Sequence, residues 1–364
     1  MSSILDPGTD NTTDPDQARL TALEAWYAAL GGRSTAPANL VALGDSMIQG
    51  QGATTFARRW VARLRDGLRD RYPTTGVTGG RGFISPLGGL TGVSSAIWPT
   101  VQAGAAPIWV DSAGPKKRVW RLNSATSYTW TLQGTAVDLH YWSTGSTGHI
   151  SYAVDGGGPV DLNTATGATG PGTKLRIPLG ASGAHTLAIA WVSGQNYVEG
   201  VTEFDGDELA GIRVHEAGHS GISAYQWDQA PHSTEWATSV AALDPHAIVI
   251  GLGINDYAQL VSPGTFRLAL IYMIAGLRAA CTATAPGIVL LGYAQPNAAG
   301  LDPFAGYMRA MDLIAADDPG VCTLDLSTRM PAVLGDPFAL YSDTTHFNDK
   351  GHGAAADHVL RWID

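Results

Sequence analysis

Apolar residues follow two rhythms along the chain, and each rhythm implies its own architecture. Near the N-terminus, Leu20, Leu23, Trp26, Tyr27 and Leu30 recur at helical spacing, which predicts a helix over 14–30. An unbroken apolar run follows, "NLVALGDS" at 39–46, ending in a Gly-Asp-Ser turn. Such runs are strands buried on both faces of a parallel sheet. "TFARRWVARLRDGLRDRYP" (55–73) then sets Phe56, Trp60, Leu64 and Leu68 on one helical face, and Pro73 ends it. After residue 209 the alternation of strands and helices resumes. Runs at 210–218, 246–253, 287–294 and 321–327 read as strands, and those at 265–282, 303–317 and 351–363 as helices. Five strands with intervening helices predict an α/β fold with a doubly wound parallel sheet.

Between about 76 and 208 the rhythm becomes a two-residue alternation of apolar and polar positions. Segments 117–123, 127–134, 136–142, 149–157, 174–180 and 185–194 show it, with turn residues between them. That pattern predicts an antiparallel β sandwich, inserted after the first strand–helix unit. The expected division is a tail and helix at 1–38, the first part of the α/β domain at 39–89, the inserted sandwich at 90–208, and the second part at 209–364. Residues 1–13 are expected to be disordered.

Composition narrows the range of partners. With 22 Lys and Arg against 32 Asp and Glu, the net charge is −10, which argues against nucleic acid. The start, "MSSILDPGTDNTTDPDQ", lacks the basic residues and apolar core of a signal peptide. No apolar run approaches the roughly 20 residues that span a bilayer. A soluble protein, cytoplasmic on synthesis, is therefore expected. Two cysteines, Cys281 and Cys322, make no disulfide framework and no Cys-rich zinc site. Six of the eleven Trp fall in the alternating stretch. They suit either the core of a sandwich or contact with a saccharide, and both readings stand.

One short segment suggests metal chemistry. His215-Glu216-Ala217-Gly218-His219 reads H-E-x-x-H, a zinc-protease signature when it lies on a helix. Here β-branched residues precede it, Gly218 and Gly221 punctuate it, and Ile222 stands where the extended signature needs Gly. It reads as a strand running into a loop, so neither a metal nor another cofactor is expected.

Four other motifs fall at predicted strand ends or just before the last helix. They are Gly44-Asp45-Ser46; "HSG" with Gly221; "GLGINDY" with Gly253 and Asn255; and "SDTTHFNDKGH" with Asp343 and His346. A Ser hydroxyl needs a base to take its proton, and a His needs a carboxylate to fix its tautomer. Ser46, His346 and Asp343 can supply that set. Asp45 and Asp256 read as structural groups bonding loop backbone. Ser220, His219 and His352 are weaker rivals: "GHSG" lacks the second Gly of a nucleophile elbow, and His352 reads as the start of the last helix.

In that order the four blocks resemble the SGNH hydrolases, the GDSL-type esterases, over residues 39–75 and about 210–364; Met47 stands where that family often has Leu. The resemblance implies Ser46, Asp343 and His346 as the catalytic triad. It implies an oxyanion hole made of the backbone N–H groups of Ser46 and Gly221 and the side-chain amide of Asn255. It implies a metal-independent serine esterase acting on an oxygen ester, with a polysaccharide or cell-envelope glycolipid as the expected partner. The leader helix and acidic surface further resemble actinobacteriophage-encoded proteins of this type. That resemblance would imply a tail location and leaves homo-oligomer or virion assembly open. An alternative reading makes the chain an envelope-binding or tail adhesin module with secondary or lost hydrolysis; intact Ser46, Asn255, Asp343 and His346 argue against it.

Overall fold

A computed structural model describes residues 15–86, 97–105, 108–143, 145, 148–167, 170–228, 234–298, 300 and 303–364. The disorder expected at 1–13 lies outside these. Five strands form one parallel sheet in the order Ile212–Gly218, Ala38–Gly44, Ala247–Gly251, Gly287–Gly292, Val321–Asp325. Every ladder between them is parallel. Leu40, Val41, Ala42 and Leu43 are fully buried, which explains why their stretch of sequence has no polar alternation. The doubly wound α/β expectation holds. Ala38–Gly44 is first in sequence but sits inside the sheet, with later strands on both sides. Such a switch point opens a crevice at the strand's carboxyl end, where ligands bind in folds of this type.

Two of the expected helices are interrupted. The first is Pro15–Ala22 followed by Glu24–Gly32, broken at Leu23 (φ −105, ψ 19). The second opens as a 3₁₀ turn at Phe56–Arg58, passes through extended Arg59 (φ −64, ψ 145), and continues as Trp60–Arg71. Arg59's extended backbone turns its side chain into the protein, where it finds a buried partner described below. The last helix, Asp349–Ile363, is capped by Asn348, whose side chain accepts from the N–H groups of Lys350 and Gly351.

Residues 82–204 carry two antiparallel sheets. One has the order Gly170–Pro178, Ala136–Ser143, Asn196–Phe204, Val119–Leu122, Ile108–Val110, with Gly82–Ile84 paired to Asn196–Phe204. The other has the order Thr100–Gly104, Thr126–Gln133, Ala184–Gly194, Gly148–Val154, Val160–Asn163. Val137, Leu139 and Tyr141 of the first share a core with Tyr128, Trp130 and Leu132 of the second. Their two-residue spacing is that of strands with one buried face. Trp98, Trp120 and Trp130 fill this core, and Trp109 and Trp191 pack against it partly buried. The core-filling reading of the tryptophans therefore accounts for five of the six. Gly82–Ile84 precedes the division expected at 89/90 yet hydrogen-bonds into the sandwich.

The central strand Asn196–Phe204 has no clean signal in the sequence. Glu199 and Glu203 are wholly buried within it. Each has a partner: Glu203 pairs with Arg81, and Glu199 accepts from the Gly172 N–H at 2.8 Å. A register shift at Val198–Gly200 further disturbs the alternation.

His352 pins the last helix to the helix at 60–71. Its Nδ1 accepts from the Trp60 N–H at 3.4 Å, and its Nε2–H donates to the Gln51 carbonyl at 3.1 Å. The bond accepted at Nδ1 requires the neutral ring, and burial lowers its pKa to about 4 from 6.5. The folded chain thus binds fewer protons than the unfolded chain within that window, so stability from this site is lost as pH falls from 6.5 to 4. The stability advantage of the native chain over His352→Gln should narrow by about 3 kcal/mol between pH 7 and pH 4. Urea unfolding at the two pH values measures this, and a pH-independent difference would contradict it.

Candidate active site

Ser46 opens a four-residue helix, Ser46–Gln49, directly after the Ala38–Gly44 strand. Asp45 caps that helix by accepting the Met47 N–H at 2.8 Å. Burial pushes the Asp45 carboxyl up to about 7, against the opposing bond from Met47. Asp256 is also structural, accepting the N–H groups of Ala224 and Tyr225 at 2.9 and 3.1 Å to start the helix Ala224–Asp228. Both aspartates therefore serve loop backbone, as the sequence suggested.

His346 reaches Ser46 from a tight turn bracketed by the Tyr341–Phe347 bridge. Asp343 shapes the turn: its Oδ1 accepts the N–H groups of Thr345 and His346 at 2.8 and 2.7 Å. Its Oδ2 lies 2.8 Å from His346 Nδ1, and His346 Nε2 lies 2.8 Å from Ser46 Oγ. With Nδ1–H committed to the carboxylate, Nε2 is left to accept the Ser46 hydroxyl proton. Burial pushes the Asp343 carboxyl up, but the bonds from His346 and Thr345 outweigh it and hold the pKa below the usual value. Asp343 is therefore ionised at neutral pH.

His219 N–H donates to the Gly44 carbonyl at 2.7 Å, tying the loop that carries Gly221 to the Gly-Asp-Ser turn. Gly221 has φ +84, and an added Cβ would meet open space. Its N–H thus sits in a bare, left-handed stretch of backbone. Asn255 Nδ2 donates one hydrogen to the Ile222 carbonyl at 2.9 Å, and an amide nitrogen carries a second.

His215 to Gly218 of the H-E-x-x-H segment lie on the strand Ile212–Gly218 and His219 follows it, with no helix at this place. Four residues of extended chain separate Cα atoms by about 13 Å, so His215 and His219 do not share a helical face. Glu216 instead forms a buried ion pair with Arg59 at 3.0 Å and accepts the Gly218 N–H at 2.5 Å. His219 Nδ1 bonds the Lys116 carbonyl at 3.1 Å. Ser220 Oγ donates to Gln51 Oε1 at 3.3 Å rather than to a His. Among the described residues, no group of three or more His, Cys, Asp or Glu is arranged to hold a metal ion. Cys281 and Cys322 are buried and free.

Arg59 was not signalled by the sequence. Its guanidinium also donates to the Phe56 and Gln49 carbonyls at 2.9 and 3.4 Å, and lies 3.6 Å from the Phe56 ring centroid and 4.8 Å from that of Trp98. The partner lies 157 positions away, which no local pattern can show.

Residues 192–354 match the GDSL-like Lipase/Acylhydrolase family. The match to this acylhydrolase family takes in Gly221, Asn255, Asp343 and His346; Ser46 lies beyond it, across the inserted sheets. A solved structure of a peptidoglycan O-acetylesterase is 15% identical, covers 94% of this chain and 94% of that one, and has a TM-score of 0.65. A family two carbohydrate esterase from Cellvibrio japonicus is 12% identical, covering 73% of this chain and 100% of that one, with a TM-score of 0.32. No curated protein matches the sequence. The family match spans less than half of the chain, and the structural likeness extends the same fold over nearly all of it. Neither neighbour is described as a phage protein, so the virion origin gains no support. Among the described residues, no helix is long and apolar enough to cross a membrane.

Removing one partner of a buried ion pair strands the other charge. Glu216→Ala should therefore cost about 3–5 kcal/mol in chemical denaturation. The double replacement Arg59→Met with Glu216→Leu should recover much of that loss. A single-variant cost below about 1 kcal/mol would show that the pair does not hold this region together.

Proposed function

We propose that the protein is a serine esterase that hydrolyses an oxygen ester of a carbohydrate or cell-envelope component through an acyl-enzyme on Ser46. The observation that carries this is the continuous chain Ser46 Oγ, His346 Nε2, His346 Nδ1, Asp343 Oδ2, with 2.8 Å at each hydrogen bond. The substrate class is favoured by the peptidoglycan O-acetylesterase that aligns with the chain almost end to end.

In this mechanism Ser46 Oγ attacks the ester carbonyl carbon while His346 Nε2 takes its proton. Asp343 holds the ring and stabilises the imidazolium. Negative charge on the former carbonyl oxygen falls to the N–H groups of Ser46 and Gly221 and the amide of Asn255. His346 returns its proton to the departing alcohol oxygen as the C–O bond breaks. Water, activated by the same ring, then releases the acyl group as a carboxylic acid and restores Ser46. No metal enters this sequence of steps.

Ser46→Ala and His346→Ala should each remove nearly all turnover of p-nitrophenyl acetate while circular dichroism stays native. A fluorophosphonate should label Ser46; labelling of Ser220 would overturn the assignment. Asn255→Ala should lower kcat by about 10²–10³, the scale for one oxyanion donor. EDTA should leave the rate unchanged, and loss restored by Zn²⁺ would revive the metal reading of residues 215–219.

A further inference from the structure

A cavity of about 380 Å³ opens against the Gly221 loop, and part of its wall comes from the inserted sheets. From the insertion come Asp111 and Arg118, and from the catalytic side come His219, Ser220, Gly221 and Gln226. The intervening loop, 111–118, is fixed in place. Gly114 N–H donates to Ser239 Oγ at 3.0 Å, and the Lys116 carbonyl accepts from His219 at 3.1 Å. Lys117 sits at φ +54, an uncommon backbone state for a residue with a side chain. Its amine is spent on the carbonyls of Gln226, at 2.8 Å, and Trp227.

We propose that this cavity is the subsite for an uncharged sugar ring of the substrate, with Asp111 and Arg118 as its specificity-determining pair. The cavity's chemistry is what carries the assignment. Arg118 Nε and a terminal nitrogen already bind the two Asp111 oxygens at 2.6 and 2.9 Å, so its charge is neutralised before any ligand enters. The guanidinium plane rests over Trp109, 4.6 Å from the ring centroid, and cannot swing freely to an anion. An entering carboxylate would meet Asp111, whose side chain is half exposed. His219 gives its Nδ1–H to Lys116, leaving Nε2 as an acceptor. Burial holds that ring neutral, lowering its pKa to about 3. The wall thus mixes donors and acceptors, as vicinal hydroxyls require. Among the described residues lining it, Ile222 is the one aliphatic side chain, too little for an acyl chain. The volume is at the small end of the range for ligand pockets.

The inference deepens the esterase reading and rests on it for turnover, but binding tests it separately. The full chain is assayed on p-nitrophenyl acetate, on acetylated methyl glucoside, and on acetylated methyl glucuronoside. Asp111→Ala should raise KM for the glucoside ester roughly tenfold, the scale of one lost hydrogen bond. It should leave kcat for that ester and both constants for p-nitrophenyl acetate within about twofold, as expected for loss of uniform binding. KM for the glucuronoside ester should fall, because Arg118 is then unpaired. Arg118→Gln should raise KM for the glucoside ester as well, and serves if Asp111→Ala melts early. Unchanged KM for the glucoside ester, or equal change on all three esters, overturns the subsite. So does a native preference for the glucuronoside. If the native chain turns over none of the three, the esterase reading fails. Calorimetry of acetylated methyl glucoside with Ser46→Ala then still decides the subsite: binding lost on adding Asp111→Ala supports it, and no binding overturns it.

Discussion

The buried pair of Arg59 and Glu216 ties the turn before the 60–71 helix and the end of the Ser46–Gln49 helix to the strand Ile212–Gly218, adding to the ladder that aligns that strand with Ala38–Gly44. Both side chains are almost fully removed from water. Taking two ions out of water is expensive, and their mutual attraction alone need not offset it. Extra bonds make up the difference. Arg59 reaches the Phe56 and Gln49 carbonyls and lies against two aromatic rings, while Glu216 takes the Gly218 N–H. Burial lowers the Arg59 pKa to about 10, which leaves the guanidinium charged at neutral pH. The pair therefore acts less as a stability device than as a locating one. It sets the Ser46–Gln49 helix against the Ile212–Gly218 strand, and through Trp98 it reaches the inserted sheets. The fit at this point is close: a Cβ on Gly218 would lie 2.2 Å from the Gln49 nitrogen.

That register matters because the candidate catalytic groups come from loops, not from one element. Ser46 follows the first strand, Gly221 follows the strand at 212–218, Asn255 follows the strand at 247–251, and His346 precedes the last helix. The three strands are neighbours in the sheet with parallel ladders, so their carboxyl ends open onto one crevice. A packed sheet holds those ends far more firmly than the loops could hold themselves. His346 has no strand behind it, and Asp343 compensates by bonding two backbone N–H groups of its own turn while orienting the ring. One carboxylate thus shapes the loop and fixes the tautomer.

Legibility in the sequence followed the range of the physical cause. Buried parallel strands announce themselves in four or five consecutive apolar residues, so the sheet was readable from Leu40–Leu43 or Ala247–Ile250 alone. The turn motifs at Ser46, Asn255 and His346 were readable because each is a local backbone requirement at a strand end or helix start. The strand Asn196–Phe204 was not, because Glu199 and Glu203 occupy wholly buried positions and look like loop residues until Arg81 and Gly172 are seen beside them. The break at Arg59 was hidden for the same reason. A helical pattern running through 55–73 is the correct local inference, and a partner 157 residues away overrides it at one residue.

The segment at 215–219 shows how backbone geometry decides what the same side chains can do. On a helix, residues four apart share a face and two imidazoles can meet one metal ion. On a strand, neighbours point to opposite faces, and each residue answers to a different layer. Glu216 points to Arg59 and the helix behind the nucleophile. His219, just past the strand's end, bonds Lys116 of the insertion and gives its backbone N–H to Gly44. Five residues that would make one metal centre in a helix instead join three structural units around the crevice. The strand's two-residue period is what distributes them, and the β-branched residues before His215 are the reason it is a strand.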